Sequence, residues 1–145
     1  MDELIEALKK AQASSFAFYL KAHNYHWNVE GHSFSEYHTF LGSLYEEVFA
    51  AVDTIAELIR TLDAYAPGSF SRFQQLSVIE DELSVPKGMV MIGRLYDDNQ
   101  KMLVVLREAY RIAEAADSFG VSNALQDRIT AHEKHGWMLR SFTKE

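Results

Sequence analysis

The sequence predicts an all-α fold, a four-helix bundle whose halves are joined by one long crossover connection. Three observations predict it. Apolar residues recur at three- and four-residue steps along four long segments. Glycine or proline stands between those segments. The first and last breaks are short, whereas the middle one spans residues 63–87.

The first helix is read from Glu3 to about Asn28 on Leu4, Leu8, Ala11, Phe18, Ala22 and Tyr25, and Gly31 ends it. Ser33 followed by Glu36 has the capping-box spacing. Phe34, Tyr37, Leu41, Leu44, Tyr45, Val48, Val52, Ile55, Ile59 and Leu62 then carry a second helix until Pro67 and Gly68 break it. Within the long connection, SRFQQL predicts a short helix, so the segment need not be structureless. A third helix runs from about Met89 to Ala116 on Met91, Leu95, Met102, Val105, Leu106 and Tyr110. Gly120 stops the chain, and Ser122 or Asn123 can cap a fourth helix through Leu125, Ile129, Trp137 and Leu139. No internal repeat is visible, and residues 1–145 read as one domain.

Helices joined by short connections become antiparallel neighbours, while a long middle connection lets the second and third run the same way. That is the ferritin-like topology with one crossover. An up-down-up-down bundle with a floppy middle loop fits the same periodicity.

Composition narrows the chemistry. A chain of 145 residues, 48% hydrophobic, buries most of its surface without a disulfide or structural metal. It has no cysteine, which removes thiolate catalysis, Cys-type zinc sites and iron–sulfur clusters. Any metal must therefore sit on His, Asp or Glu. The opening residues, MDELIEALKK, contain neither an apolar signal-peptide core nor a membrane span, so a cytoplasmic protein with no membrane association is expected. The net charge of −7 argues against whole-surface attraction to nucleic acid, and neither end carries a basic run.

Four of the six histidines lie in HNYHWNVEGHSFSEYH, residues 23–38. His26 falls at the end of the first helix and His38 in the first turns of the second, so both sit at one end of the hairpin. Further along, Asp53 and Glu57 have i, i+4 spacing, which places both carboxylates on one face, about 6 Å apart along the axis. Such a pair is a natural clamp for a hard or borderline cation. Asp53 follows His38 by fifteen residues, or about 22 Å of helix. One chain cannot bring them to one ion.

Two readings follow. In the first, the histidines are ordinary helix-end residues and the carboxylates an ordinary solvated pair. In the second, two second helices pack antiparallel about a two-fold axis. The His end of one chain then meets the Asp/Glu end of its partner, giving two identical sites per dimer. Two nitrogens and two carboxylates suit iron(II), with zinc as a competitor.

The string YHWNVEGHSF, then His38, then Asp53-x-x-x-Glu57 in DTIAELIRTL, with HEKHGWMLRSF near the end, resembles the Dps family of mini-ferritins over nearly the whole chain. The resemblance implies a homo-oligomeric, dodecameric hollow shell built from two-fold dimers. It implies oxidation of Fe(II), preferably by hydrogen peroxide rather than dioxygen, and storage of iron(III) mineral inside. It also implies a catalytic metal site of His26 and His38 from one chain with Asp53 and Glu57 from its partner.

Trp27 can supply an electron or simply fill a helix-end contact. Where members often place an acidic residue helping a second iron, four residues after His38, this chain has Gly42. His23, one turn before His26, is a candidate auxiliary group. His32, His132 and His135 are not assigned to the site. Members commonly line three-fold pores with carboxylates from the region ADSFGVSNALQD; Ser118 and Asn123 stand at those positions here, leaving Asp117 and Asp127 as candidates for a negative funnel. Members that bind DNA often use a Lys- or Arg-rich arm; none is present, and DNA binding is not expected. Two further classes stay open: a DNA-compacting protein with a secondary metal site, and a metal-binding shell with weak ferroxidase activity.

Overall fold

The computed structural model describes residues 1–144. Among them are five helices and no strand: α1 (Asp2–Asn28), α2 (Phe34–Thr61), α3 (Phe70–Leu76), α4 (Gly88–Ala115) and α5 (Phe119–Ser141). Side-chain pairs that cross between helices fix their directions. His26 meets His38 while Tyr19 meets Tyr45 and Phe49, so α1 and α2 are antiparallel. Lys21 meets Asp98 while Lys10 meets Glu108, so α4 is also antiparallel to α1. Therefore α2 and α4 run the same way. Asn99 reaches His132 and Tyr110 reaches Gln126, which sets α5 antiparallel to α4. This is the single-crossover bundle; the up-down-up-down alternative is excluded.

Most of the periodic residues form the core; Phe34 and Trp137, read in the same pattern, are instead exposed. Leu4, Leu8, Phe18, Tyr25, Leu41, Ile55, Ile59, Ile92, Leu95, Met102 and Leu106 are all fully buried. Each such side chain contributes about 1.5–3 kcal/mol on transfer from water. The crossover is tied down rather than floppy. Gln12 donates to the Pro67 carbonyl at 2.9 Å, the Val78 amide donates to the Ser14 hydroxyl at 3.1 Å, and Lys21 donates to the Glu80 carbonyl at 3.1 Å. Ser69 caps α3 by accepting from the Arg72 amide.

Two expected helix starts differ from the structure. Ser33 precedes α2, but its side chain makes no cap hydrogen bond, so the Ser33/Glu36 capping box does not form. The backbone supplies the turn instead, with the Phe34 amide donating to the Gly31 carbonyl and Tyr37 to that of Ser33. The last long helix starts at Phe119 after Ser118, earlier than Ser122 or Asn123. Asp117 adopts a left-handed φ of 53°, and the Ser118 amide closes back onto the Ala113 carbonyl. The reversal is thereby complete before Gly120, which sits inside the helix, and Ser122 is buried with its hydroxyl on the Phe119 carbonyl. Among the described residues, no helix is long and apolar enough to cross a membrane.

Candidate metal centre

The turn between α1 and α2 determines the first half of the site. Val29 ends α1 by donating to the Tyr25 carbonyl, and Gly31 takes a φ of +107°, a conformation L side chains rarely adopt. The tight reversal stacks the His26 and His38 rings, with centroids 3.8 Å apart and planes 17° from parallel. Nδ1 of His26 donates to the His38 carbonyl at 2.7 Å, and Nδ1 of His38 donates to the His26 carbonyl at 2.8 Å. A carbonyl oxygen only accepts, so each Nδ1 carries its proton. Each Nε2 is left with a lone pair suited to a metal ion.

Gly42 lies one turn beyond His38, against this pair. A Cβ there would stand 3.2 Å from Cε1 and 3.3 Å from Nδ1 of His26. The absent side chain is thus also the space into which the imidazole fits.

Asp53 and Glu57 are both exposed on the same face of α2, within one unbroken helix. Along α2, Asp53 stays about 22 Å and Glu57 about 28 Å from His38. Among the described residues no three His, Asp or Glu side chains converge on one cation-sized position. The chain carries an imidazole pair and a carboxylate pair, each incomplete alone.

A family model for the ferritin-like domain matches residues 5–145. The DNA protection during starvation protein 2 of Bacillus anthracis is 31% identical over 99% of this chain and 98% of its own length. A low temperature-induced protein of Nostoc is 32% identical over 96% of this chain and 79% of its own. The chain belongs to the Dps branch of the ferritin-like family. The Dps crystal structure from Vibrio cholerae O1, described as a ferritin-like diiron-carboxylate protein, superposes with a TM-score of 0.95 at 29% identity. That match covers 99% of this chain and 90% of that one.

The other residues singled out in this Dps chain take distinct positions. Trp27 is 60% exposed, and its ring lies 3.8 Å from that of His23, a contact at the end of α1. His23 is not a free helix-end imidazole: its Nδ1 lies 3.0 Å from the Tyr19 hydroxyl and its ring is stacked on Tyr45. Burial, and secondly the neighbouring His26, lower its pKa. Asp117 and Asp127 are exposed, at the α4–α5 turn and on α5.

Sequence reasoning missed a second polar centre, between α2, α4 and α5. Asn99 donates to the His132 carbonyl at 2.7 Å, which orients its amide oxygen to accept from Nδ1 of His132 at 2.8 Å. Nε2 of His132 then accepts from Arg128 at 3.0 Å. Arg128 grips Glu47 through two nitrogens, and His135 donates to the same carboxylate at 2.7 Å. His132 is consequently held neutral, its pKa pushed well down by burial and by the charge of Arg128. Burial opposes ionisation of Glu47, yet hydrogen bonds from His135 and Arg128 outweigh it and hold the carboxyl far below its usual range. The available signal was Arg128, His132 and His135 at i, i+4 and i+7, one helix face carrying three cationic or imidazole side chains.

Proposed function

We propose that the protein is a ferroxidase and iron-storage mini-ferritin. It binds Fe(II) between two-fold-related chains, through Nε2 of His26 and His38 from one and the carboxylates of Asp53 and Glu57 from the other. The observation that carries this reading is the reciprocal His26/His38 clamp, which frees two lone pairs at one end of α2 while an exposed carboxylate pair waits toward the other end. Antiparallel pairing of two copies of α2 completes two equal sites at once.

The donor set fits iron as substrate. Two imidazoles and two carboxylates hold Fe(II) with coordination positions left open, and the carboxylate charge favours the iron(III) product. Hydrogen peroxide is the preferred oxidant: two Fe(II) ions give it two electrons, so its O–O bond breaks to water without releasing hydroxyl radical. The product accumulates as mineral in a hollow shell of twelve chains, with zinc competing for the same ligands. Asp117 and Asp127 are the carboxylates proposed to draw cations toward a pore. DNA compaction forms no part of the proposal, because a net charge of −7 repels phosphate.

The deciding experiment is anaerobic Fe(II) titration followed by hydrogen peroxide, with iron(III) absorbance and particle mass followed together. Rapid oxidation at about two Fe(II) per peroxide in a shell-sized particle is expected, and Asp53→Ala with Glu57→Ala should abolish it while leaving the helices intact. Unchanged oxidation in that double variant overturns the site. A second reading, a metal-binding shell with weak ferroxidase activity, is favoured by Gly42 alone and predicts saturable binding without accelerated oxidation.

A further inference from the structure

An aromatic group stands directly behind the imidazole pair and provides none of its ligands. Tyr19 is half-buried on α1, with its hydroxyl 3.0 Å from Nδ1 of His23. The His23 ring lies 3.8 Å from that of Tyr45, only 7° from parallel, and 3.8 Å from the Trp27 ring. Its centre is 6.0 Å from that of His26. A phenol hydrogen-bonded to an imidazole is thus separated from a metal-site imidazole by a single ring-to-ring step.

We propose that Tyr19 is a redox-active residue that supplies one electron to the iron site while its phenolic proton passes to Nδ1 of His23. This rests on the ferroxidase reading above. The need for such an electron arises whenever the site holds a single Fe(II), a state that Gly42 favours by offering no carboxylate to a second iron beside His26. A site that fills with one Fe(II) has one electron to give, and hydrogen peroxide takes two. Fe(II) gives the first and Tyr19 the second; the O–O bond breaks, and both oxygens leave as water after taking two protons from solvent. What remains is iron(III), a tyrosyl radical at Tyr19 and a protonated His23.

The choice of Tyr19 over its neighbours is chemical. Loss of an electron makes a phenol strongly acidic, so oxidation is easiest where a base already receives its hydrogen bond. Tyr45 and Trp27 both meet His23 ring against ring, and neither offers its polar hydrogen to Nδ1 as the Tyr19 hydroxyl does. The Tyr19 hydroxyl already lies within hydrogen-bond distance of Nδ1 of His23, so the proton has only that bond to cross.

The test uses the assembled protein loaded anaerobically with one Fe(II) per site, mixed with hydrogen peroxide, frozen rapidly and examined by electron paramagnetic resonance. Chains carrying ring-deuterated tyrosine identify the radical as tyrosyl, and optical absorbance records iron(III) in the same samples. The expected result is a tyrosyl signal in the parent, reduced at least tenfold in Tyr19→Phe and retained in Tyr45→Phe. Helicity and Zn(II) affinity of Tyr19→Phe should match the parent, separating lost redox chemistry from lost structure. His23→Gln should slow formation of the signal by removing the proton acceptor. Iron oxidation with a radical unchanged in Tyr19→Phe, with a tryptophan radical only, or with none, overturns the role of Tyr19 alone. Absence of iron oxidation in the parent overturns the ferroxidase reading, and this inference with it.

Discussion

His26 and His38 hold each other by a two-way exchange, each ring donating Nδ1–H to the other's backbone carbonyl across the Gly31 turn. The exchange sets the tautomer of both rings and aims both Nε2 atoms away from the backbone. His38→Ala removes a ligand and also the stacked partner that orients the other. Zn(II) affinity, measured by calorimetry, should fall at least about tenfold, the usual loss when a ligand and its orienting bond go together. Equal affinity in the variant would place the metal elsewhere.

Gly42 tests the same geometry from the opposite helix. A methyl group there meets His26 at 3.2–3.3 Å, and the ring is pinned by its bond to His38 and by stacking. The ring must shift by a few tenths of an ångström, tilting Nε2 from its aim. Gly42→Ala should therefore weaken Zn(II) binding several-fold without loss of helix, as followed by circular dichroism alongside the titration. Gly42→Asp carries the same steric cost, so tighter binding in that variant would show that the ring yields easily.

Much of this architecture is legible in the sequence, for identifiable reasons. The burial of Leu4, Leu41 or Leu95 follows from period alone, Gly31 marks the turn of the hairpin and Pro67 follows the end of its second helix. The half-site logic follows from counting residues along α2. What periodicity cannot show is direction of approach between helices. Glu47 reads as one more carboxylate beside Glu46, and only packing against Arg128 and His135 gives it a role. The start of α5 was hidden for a similar reason. Asp117 rather than glycine takes the left-handed position, so the usual mark of a helix end is missing.

Mixing chains would distinguish a shared site from one built within a chain. A variant with His26→Ala and His38→Ala supplies carboxylates only; one with Asp53→Ala and Glu57→Ala supplies imidazoles only. Each should be inactive by itself. Unfolded together and reassembled, random pairing makes about half the dimers mixed, each with one complete site of two, so about a quarter of parental iron oxidation should return. No recovery in correctly assembled mixed particles would rule out the two-fold arrangement.

Glu47 is the clasp between α2 and α5. Arg128 is nearly enclosed and has its positive charge matched by that carboxylate, which is itself 39% exposed. Glu47→Gln leaves the guanidinium without a counter-charge in a poorly solvated position. Breaking a fully buried pair costs about 3–5 kcal/mol; discounted for solvent access at Glu47, about 2 kcal/mol is expected. Urea midpoints at equal chain concentration measure it, and a change below about 0.5 kcal/mol would mean that solvent replaces the clasp.

The same cluster makes stability depend on pH, with a sign set by its direction. His132 is folded in its neutral form, with a pKa well below 6.5. Between that depressed value and 6.5, the unfolded chain binds a proton that the folded chain refuses, so stability falls as pH drops below 6.5. His23, also lowered, acts in the same sense. Glu47 and Glu82 extend the trend to lower pH. Glu82 is brought to about 2 chiefly by its hydrogen bond from Tyr25, and Glu47 lies lower still. Their stabilisation is complete above the ordinary carboxylate value of 4.5 and is lost as pH falls toward the folded values. His132→Gln removes one titration and leaves the others. In the window from pH 6.5 to 5, the slope of unfolding free energy against pH should be shallower in the variant by up to about 1.4 kcal/mol per pH unit, the limit for one proton. Identical slopes would mean that His132 takes up its proton in the folded state, against the bond that its Nε2 accepts from Arg128.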